Sequence, residues 1–153
     1  MADVTSTVDE VAVGRYARLL SKRVKITAAQ VLALNGTPVE LVAAPGADKM
    51  LEFVSAVIHK PAGTAYADIH LDDEFLIQLR TTAVSLELEA TGFMDQVTAQ
   101  TRAIKPIASH YTPVANTALN LTMDNSEITT GNSDLYVTIV YLEYQNVVDN
   151  PAT

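Results

Sequence analysis

Leu135-Tyr-Val-Thr-Ile-Val-Tyr-Leu-Glu-Tyr144 is the stretch on which the fold turns. Side chains of a strand alternate between its two faces. Leu135, Val137, Ile139 and Tyr141 therefore share one face, and Tyr136, Val140, Leu142 and Tyr144 share the other. The run is rich in β-branched and aromatic residues and holds no Gly or Pro, so it reads as the longest strand of the chain. Leu119, Leu121 and Met123 alternate upstream of it, and the turn-rich segment from Asp124 to Ser133, with Thr130-Gly-Asn132, links the two.

The same period recurs toward the N-terminus. Val84, Leu86 and Leu88 alternate strictly with Ser85, Glu87 and Glu89, which predicts a half-buried strand with one wet face. Phe75, Ile77 and Leu79 alternate as well, and Thr64–Ile69 is a further candidate strand. Met50–Ile58 carries apolar residues on both parities, which predicts a central strand covered on both faces. Ala44-Pro-Gly-Ala-Asp48 is a turn, and Pro38–Val42 is a strand. Thr27 is placed to cap a short helix from Ala28 to Leu34, which Asn35-Gly36 ends. Pro106 and Pro113 make the segment after Gln100 loop or sheet edge. About eight strands separated by frequent turns predict an all-β antiparallel sandwich, jelly-roll-like, with one short helix.

The chain has 153 residues, the length of one domain. With 48% hydrophobic and 18% charged residues it has the composition of a folded protein. Residues 1–23 are expected to be an extended N-terminal arm and basic strap, 24–148 the sandwich and 149–153 a tail. The N-terminus lacks the basic and apolar regions of a secretory signal, and no apolar run approaches the ~20 residues of a membrane span. Synthesis as a soluble cytoplasmic product is the expectation, with no membrane partner. A net charge of −8 argues against a nucleic-acid partner. That average hides an asymmetry: Arg15, Arg18, Lys22, Arg23 and Lys25 cluster, and no acid occurs between Glu10 and Glu40. A basic strip on an acidic body suggests a docking surface for an acidic partner, including another copy of the chain.

No chemistry-bearing motif emerges. Cysteine is absent, which removes thiolate nucleophiles, thiolate metal ligands and disulfides. The histidines, His59, His70 and His110, are far apart, and there is no Gly-x-Ser-x-Gly elbow. His70-Leu-Asp-Asp-Glu74 is the densest set of oxygen ligands, but adjacent acids at a turn read as a solvated corner. Glu87 and Glu89 lie on the polar side of their strand. There is no phosphate-binding glycine loop. Tyr66 and Tyr111 are the candidate platforms for a sugar, against the commoner fate of a buried ring with a wet hydroxyl. The expectation is a non-enzyme with no catalytic, metal or cofactor site, and with the five clustered bases as its partner-binding residues.

Asn35-Gly-Thr-Pro-Val-Glu-Leu-Val-Ala-Ala-Pro-Gly-Ala-Asp-Lys49 and Gly63-Thr-Ala-Tyr-Ala67 resemble small head proteins of tailed bacteriophages. So do Ala118-Leu-Asn-Leu121, Ile128-Thr-Thr-Gly-Asn132 and the strand that closes on Tyr141-Leu-Glu-Tyr144. The resemblance spans Val24 to Gln145 and rests on turns and strands. It implies a capsid decoration, or cement, protein: a homo-oligomer, trimer rather than dimer, that binds the major capsid protein on the outer surface of the virion and bridges neighbouring subunits. The alternatives are another virion component, such as a tail, neck or fibre module, and a carbohydrate-binding β-module.

Overall fold

Strand β1 (Ala17–Ile26) runs directly into a single-turn helix, α1 (Ala28–Leu32), in a computed structural model that describes residues 16–124 and 128–145. The expected arm up to Arg15 and the expected tail at 149–153 lie outside the described residues. Thr27 caps α1 with a full capping box: its hydroxyl accepts from the Gln30 amide, and the Gln30 side chain accepts from the Thr27 amide. The helix drops Val31 into the core, and Leu34 follows it there.

The remaining strands are β2 (Val39–Val42), β3 (Lys49–Lys60), β4 (Glu74–Leu79), β5 (Thr82–Ala83), β6 (Leu88–Glu89), β7 (Gln100–Ile104), β8 (Leu119–Met123) and β9 (Leu135–Gln145). They form two antiparallel sheets. One has the order β1-β9-β3-β7; the other runs β2-β8-β4, with β5 and β6 both paired to the far side of β4. Counting β5 and β6 as one interrupted strand gives eight strands in the interleaved order of a jelly-roll sandwich. The all-β sandwich expected from the alternating pattern is the fold.

The core lies between the sheets. Leu135, Val137 and Ile139 of β9 and Leu51, Phe53, Ala56 and Ile58 of β3 face Leu41, Phe75, Ile77, Leu79, Leu119 and Leu121 of the other sheet. Each fully buried side chain of this size contributes about 1.5–3 kcal/mol by leaving water. Phe75 meets Phe93 edge-on, with ring centroids 6.0 Å apart. At the end of β3 the buried Lys60 donates from Nζ to the Gln96 carbonyl at 2.7 Å, and burial lowers its pKa.

Four local expectations change. The basic strap expected to end at Arg23 is instead part of one strand that pairs with β9 without a break from Ala17 to Ile26. The boundary placed after Arg23 thus falls inside β1. Strand β3 is central, but it is not covered on both faces. A bulge at Val54 moves the buried parity from Leu51 and Phe53 to Ala56 and Ile58, so its apolar residues alternate about an inserted residue, and Val57 is 44% exposed. Residues 64–69 make a single bridge, Ala67 to Thr129, rather than a strand. The run from Val84 to Leu88 is interrupted. Val84 and Ser85 are both buried, Leu86 is exposed, and the Ser85 hydroxyl accepts from the Ile77 amide at 2.9 Å in place of a ladder partner.

Candidate functional site

The basic residues at Arg18, Lys22, Arg23 and Lys25 all stand on β1, the edge strand of the four-stranded sheet; Arg15 lies outside the described residues. Alternation splits them. Arg18 and Lys22 share the face of Val24 and Ile26, toward the other sheet, while Arg23 and Lys25 point outward. Three of the four are held by groups at β9. Arg18 Nη2 lies 2.9 Å from Glu143 Oε1, Lys25 Nζ lies 3.1 Å from Asp134 Oδ2, and the Arg23 guanidinium sits 4.9 Å above the Tyr136 ring. The Lys25–Asp134 contact raises the Lys25 pKa and lowers that of Asp134. Lys49 also reaches Glu143, at 3.5 Å. Lys22 has no ion pair among the described residues. The strip is therefore partly a stitch that ties the edge strand to its neighbour. Exposed pairs of this kind add little to stability, because solvent and salt screen them.

The outward face of the same sheet carries apolar residues that the basic strip had overshadowed. Leu19 of β1 is opposite Leu142 of β9, and Ser21 is opposite Val140. Leu19 is 41% exposed, and Val57 on β3 is exposed to a similar degree. The signal for this face was present in the second parity of Leu135–Tyr144, together with Leu19 inside the basic run. At the end of the sheet the Tyr144 hydroxyl donates to Glu52 Oε1 at 2.7 Å, and this contact with a carboxylate pushes the Tyr144 pKa up to about 12. The loop carrying Pro106 to Pro113 leans over Glu52 and Leu142 and leaves a cavity of about 550 Å³ with Tyr111 and His110 in its wall. Burial raises the Tyr111 pKa, with the Glu52 carboxylate adding to the rise and the Phe53 backbone opposing it.

The other candidates separate. Tyr66 is 2% exposed, its hydroxyl donates to the Ser133 carbonyl at 2.6 Å, and burial pushes its pKa up to about 12. Its ring is not available as a sugar platform. His59 Nδ1 lies 2.8 Å from Thr101 Oγ1, a cross-strand pair between β3 and β7, while His110 belongs to the cavity wall. In the acidic run, Asp72 and Glu74 stay near the surface, but Asp73 is fully buried and its Oδ2 accepts from the His70 amide at 2.7 Å. The solvated-corner reading fails for Asp73, which closes the turn entering β4. Glu87 and Glu89 are exposed as expected. With Asp124 and Asp72 they add to a partial burial that raises the Glu74 pKa. Among the described residues no group of three or more His, Asp or Glu is placed to hold a metal, and no helix is long and apolar enough to cross a membrane.

No protein-family model and no curated protein matches the chain. Among solved structures it is similar to one described under "Bacillus endospore appendages form a novel family of disulfide-linked pili". The identity is 11%, the match covers 94% of this chain and 98% of that chain, and the TM-score is 0.32. A likeness at that score carries no argument about fold or function.

Proposed function

We propose that the protein is a structural component of a tailed-phage virion that binds the outside of the capsid as a homo-oligomer and bridges neighbouring major capsid protein subunits. The observation that carries this reading is the outward face of the β1-β9-β3-β7 sheet. It sets Leu19, Val57, Val140 and Leu142 on a hydrogen-bonded platform beside a cationic edge. A sheet face of this kind suits docking onto another protein surface, with apolar residues at the centre and charges at the rim. The sequence resemblance to phage head proteins supplies the partner class. Attachment of a symmetric oligomer, a trimer in this reading, to a symmetric shell would multiply modest single contacts through effective concentration.

Pelleting of undecorated phage capsids after mixing with the protein at micromolar concentration tests the proposal. Co-sedimentation is expected, with loss of it in a Leu19→Glu, Val57→Glu variant that keeps the wild-type circular dichroism spectrum. Protein that stays in the supernatant, or a variant that pellets as well as wild type, overturns it.

A further inference from the structure

The loop that leans over Glu52 and Leu142 is fixed where it leaves β7. The Ile107 amide donates to the Val84 carbonyl at 3.1 Å, the Leu86 amide donates to the Lys105 carbonyl at 2.8 Å, and Pro106 bridges to Ser85. The cavity of about 550 Å³ beside this loop is of the size that takes small ligands, and its lining comes from the described residues. Phe53, Pro113 and Leu142 make apolar walls, and Tyr111 adds an aromatic ring. Glu52 is the one carboxylate of the lining, which holds no Lys or Arg. Glu52 stands opposite Leu142 across β3 and β9. Its Oε1 accepts from the Tyr144 hydroxyl at 2.7 Å, which orients the carboxylate. Among the described residues Oε2 has no hydrogen bond and no base pairs with Glu52. Arg18 and Lys49, at the same end of the sheet, both go to Glu143 instead. Tyr111 lies close enough to feel the charge, since Glu52 adds to the rise that burial causes in its pKa. An oriented carboxylate without a cation, flanked by a ring and apolar walls, has the chemistry that recognises a flat organic cation.

We infer that this cavity receives an arginine side chain displayed by a partner protein. A guanidinium is planar and always charged, and it can fork onto a carboxylate while its face lies against a ring. The methylene stem suits the walls made by Phe53, Pro113 and Leu142. Lysine would bring a more strongly hydrated point charge and give up the fork. The volume suits a ligand larger than one side chain, so residues flanking the arginine are accommodated as well. Leu142 belongs both to the cavity and to the apolar platform of Leu19, Val57 and Val140. A protein docked on that platform is therefore placed to insert an arginine beside it, and arginine is enriched among interface anchors. The inference rests on the outward face being the docking surface of the proposed function, but not on the partner being a capsid.

Titration of N-acetyl-arginine N-methylamide into the full-length, isotope-labelled protein, followed by NMR, tests the assignment. Saturable shifts at Glu52, Tyr111 and Leu142 are expected, with a Kd in the millimolar range or tighter. The citrulline analogue has the same shape without the charge, and it is expected to bind about tenfold more weakly or worse. The same loss is expected for the arginine probe with Glu52→Gln, which keeps an acceptor for the Tyr144 hydroxyl. No saturation by about 20 mM overturns the inference. So does a citrulline probe that binds as tightly as arginine, a comparison that needs no variant. Propylguanidinium, the same cation without peptide groups, separates the sources. Weaker binding than the arginine amide supports a protein ligand, and tighter binding would make the cavity a small-molecule site and overturn the inference. Capsids that pellet the wild type while the arginine probe fails would sink the arginine site and leave the capsid proposal standing; a probe that binds while capsids pellet nothing would do the reverse.

Discussion

Gly131→Ala tests the packing that closes one end of the sandwich. Gly131 has φ +85°, and an added Cβ would lie 2.4 Å from Cδ1 of Tyr66, with two further ring atoms within 2.7 Å. Two costs follow. An L-residue in left-handed backbone costs about 1–2 kcal/mol. Forcing a methyl against a buried ring costs about 1–3 kcal/mol more, because Tyr66 is tethered by its hydroxyl to Ser133 and cannot swing away. The total, about 3 kcal/mol, corresponds to a fall in melting temperature of about 6–12 °C for a chain of this size. Gly92 provides the control. Its φ is +80°, and a Cβ there meets nothing within 4 Å, so Gly92→Ala carries the backbone cost alone. Thermal and urea unfolding of both variants should show Gly131→Ala as the more damaging, and the excess should shrink in a Tyr66→Leu background, where the ring is gone. Equal losses in the two glycine variants would refute the contact between Gly131 and the ring.

Ser85→Ala should destabilise by about 1–3 kcal/mol, since it strands the buried Ile77 amide; urea unfolding measures the loss, and faster hydrogen exchange at Ile77 locates it. Glu74→Gln should stabilise at pH 7 by about 0.2–1 kcal/mol, because Glu74 stands directly opposite Glu89 across the β4–β6 pair. The sign follows from a folded-state pKa raised by burial and by neighbouring carboxylates. Stability linked to this group is fully present below the unfolded carboxylate value of about 4.3 and falls as pH rises through the folded value. The gain from Glu74→Gln should therefore vanish at low pH and shrink in high salt, as urea unfolding at pH 7 and pH 3.5 would show.

Where alternation in the sequence met an unbroken ladder, the structure could be read in advance. Strand β9 pairs on both sides with no bulge in its pairing to β1, so Leu135, Val137 and Ile139 fall on the core face as their spacing requires. The helix cap at Thr27 and the turn at Pro45-Gly46 depend only on neighbouring residues, and they too were legible. Legibility ended where one residue breaks the period. Val54 is as apolar as its neighbours, so its bulge looked like a second buried face, and Ser85 is buried only because a distant amide needs its hydroxyl. The basic strip shows the same limit in electrostatic form. Charge density along the chain is visible in the sequence, but free charge in space is not. Glu143 and Asp134, which hold Arg18 and Lys25, lie more than a hundred residues away and come alongside only when β9 pairs with β1. Among the described residues, what those pairings leave without an ionic or ring partner on β1 is Lys22.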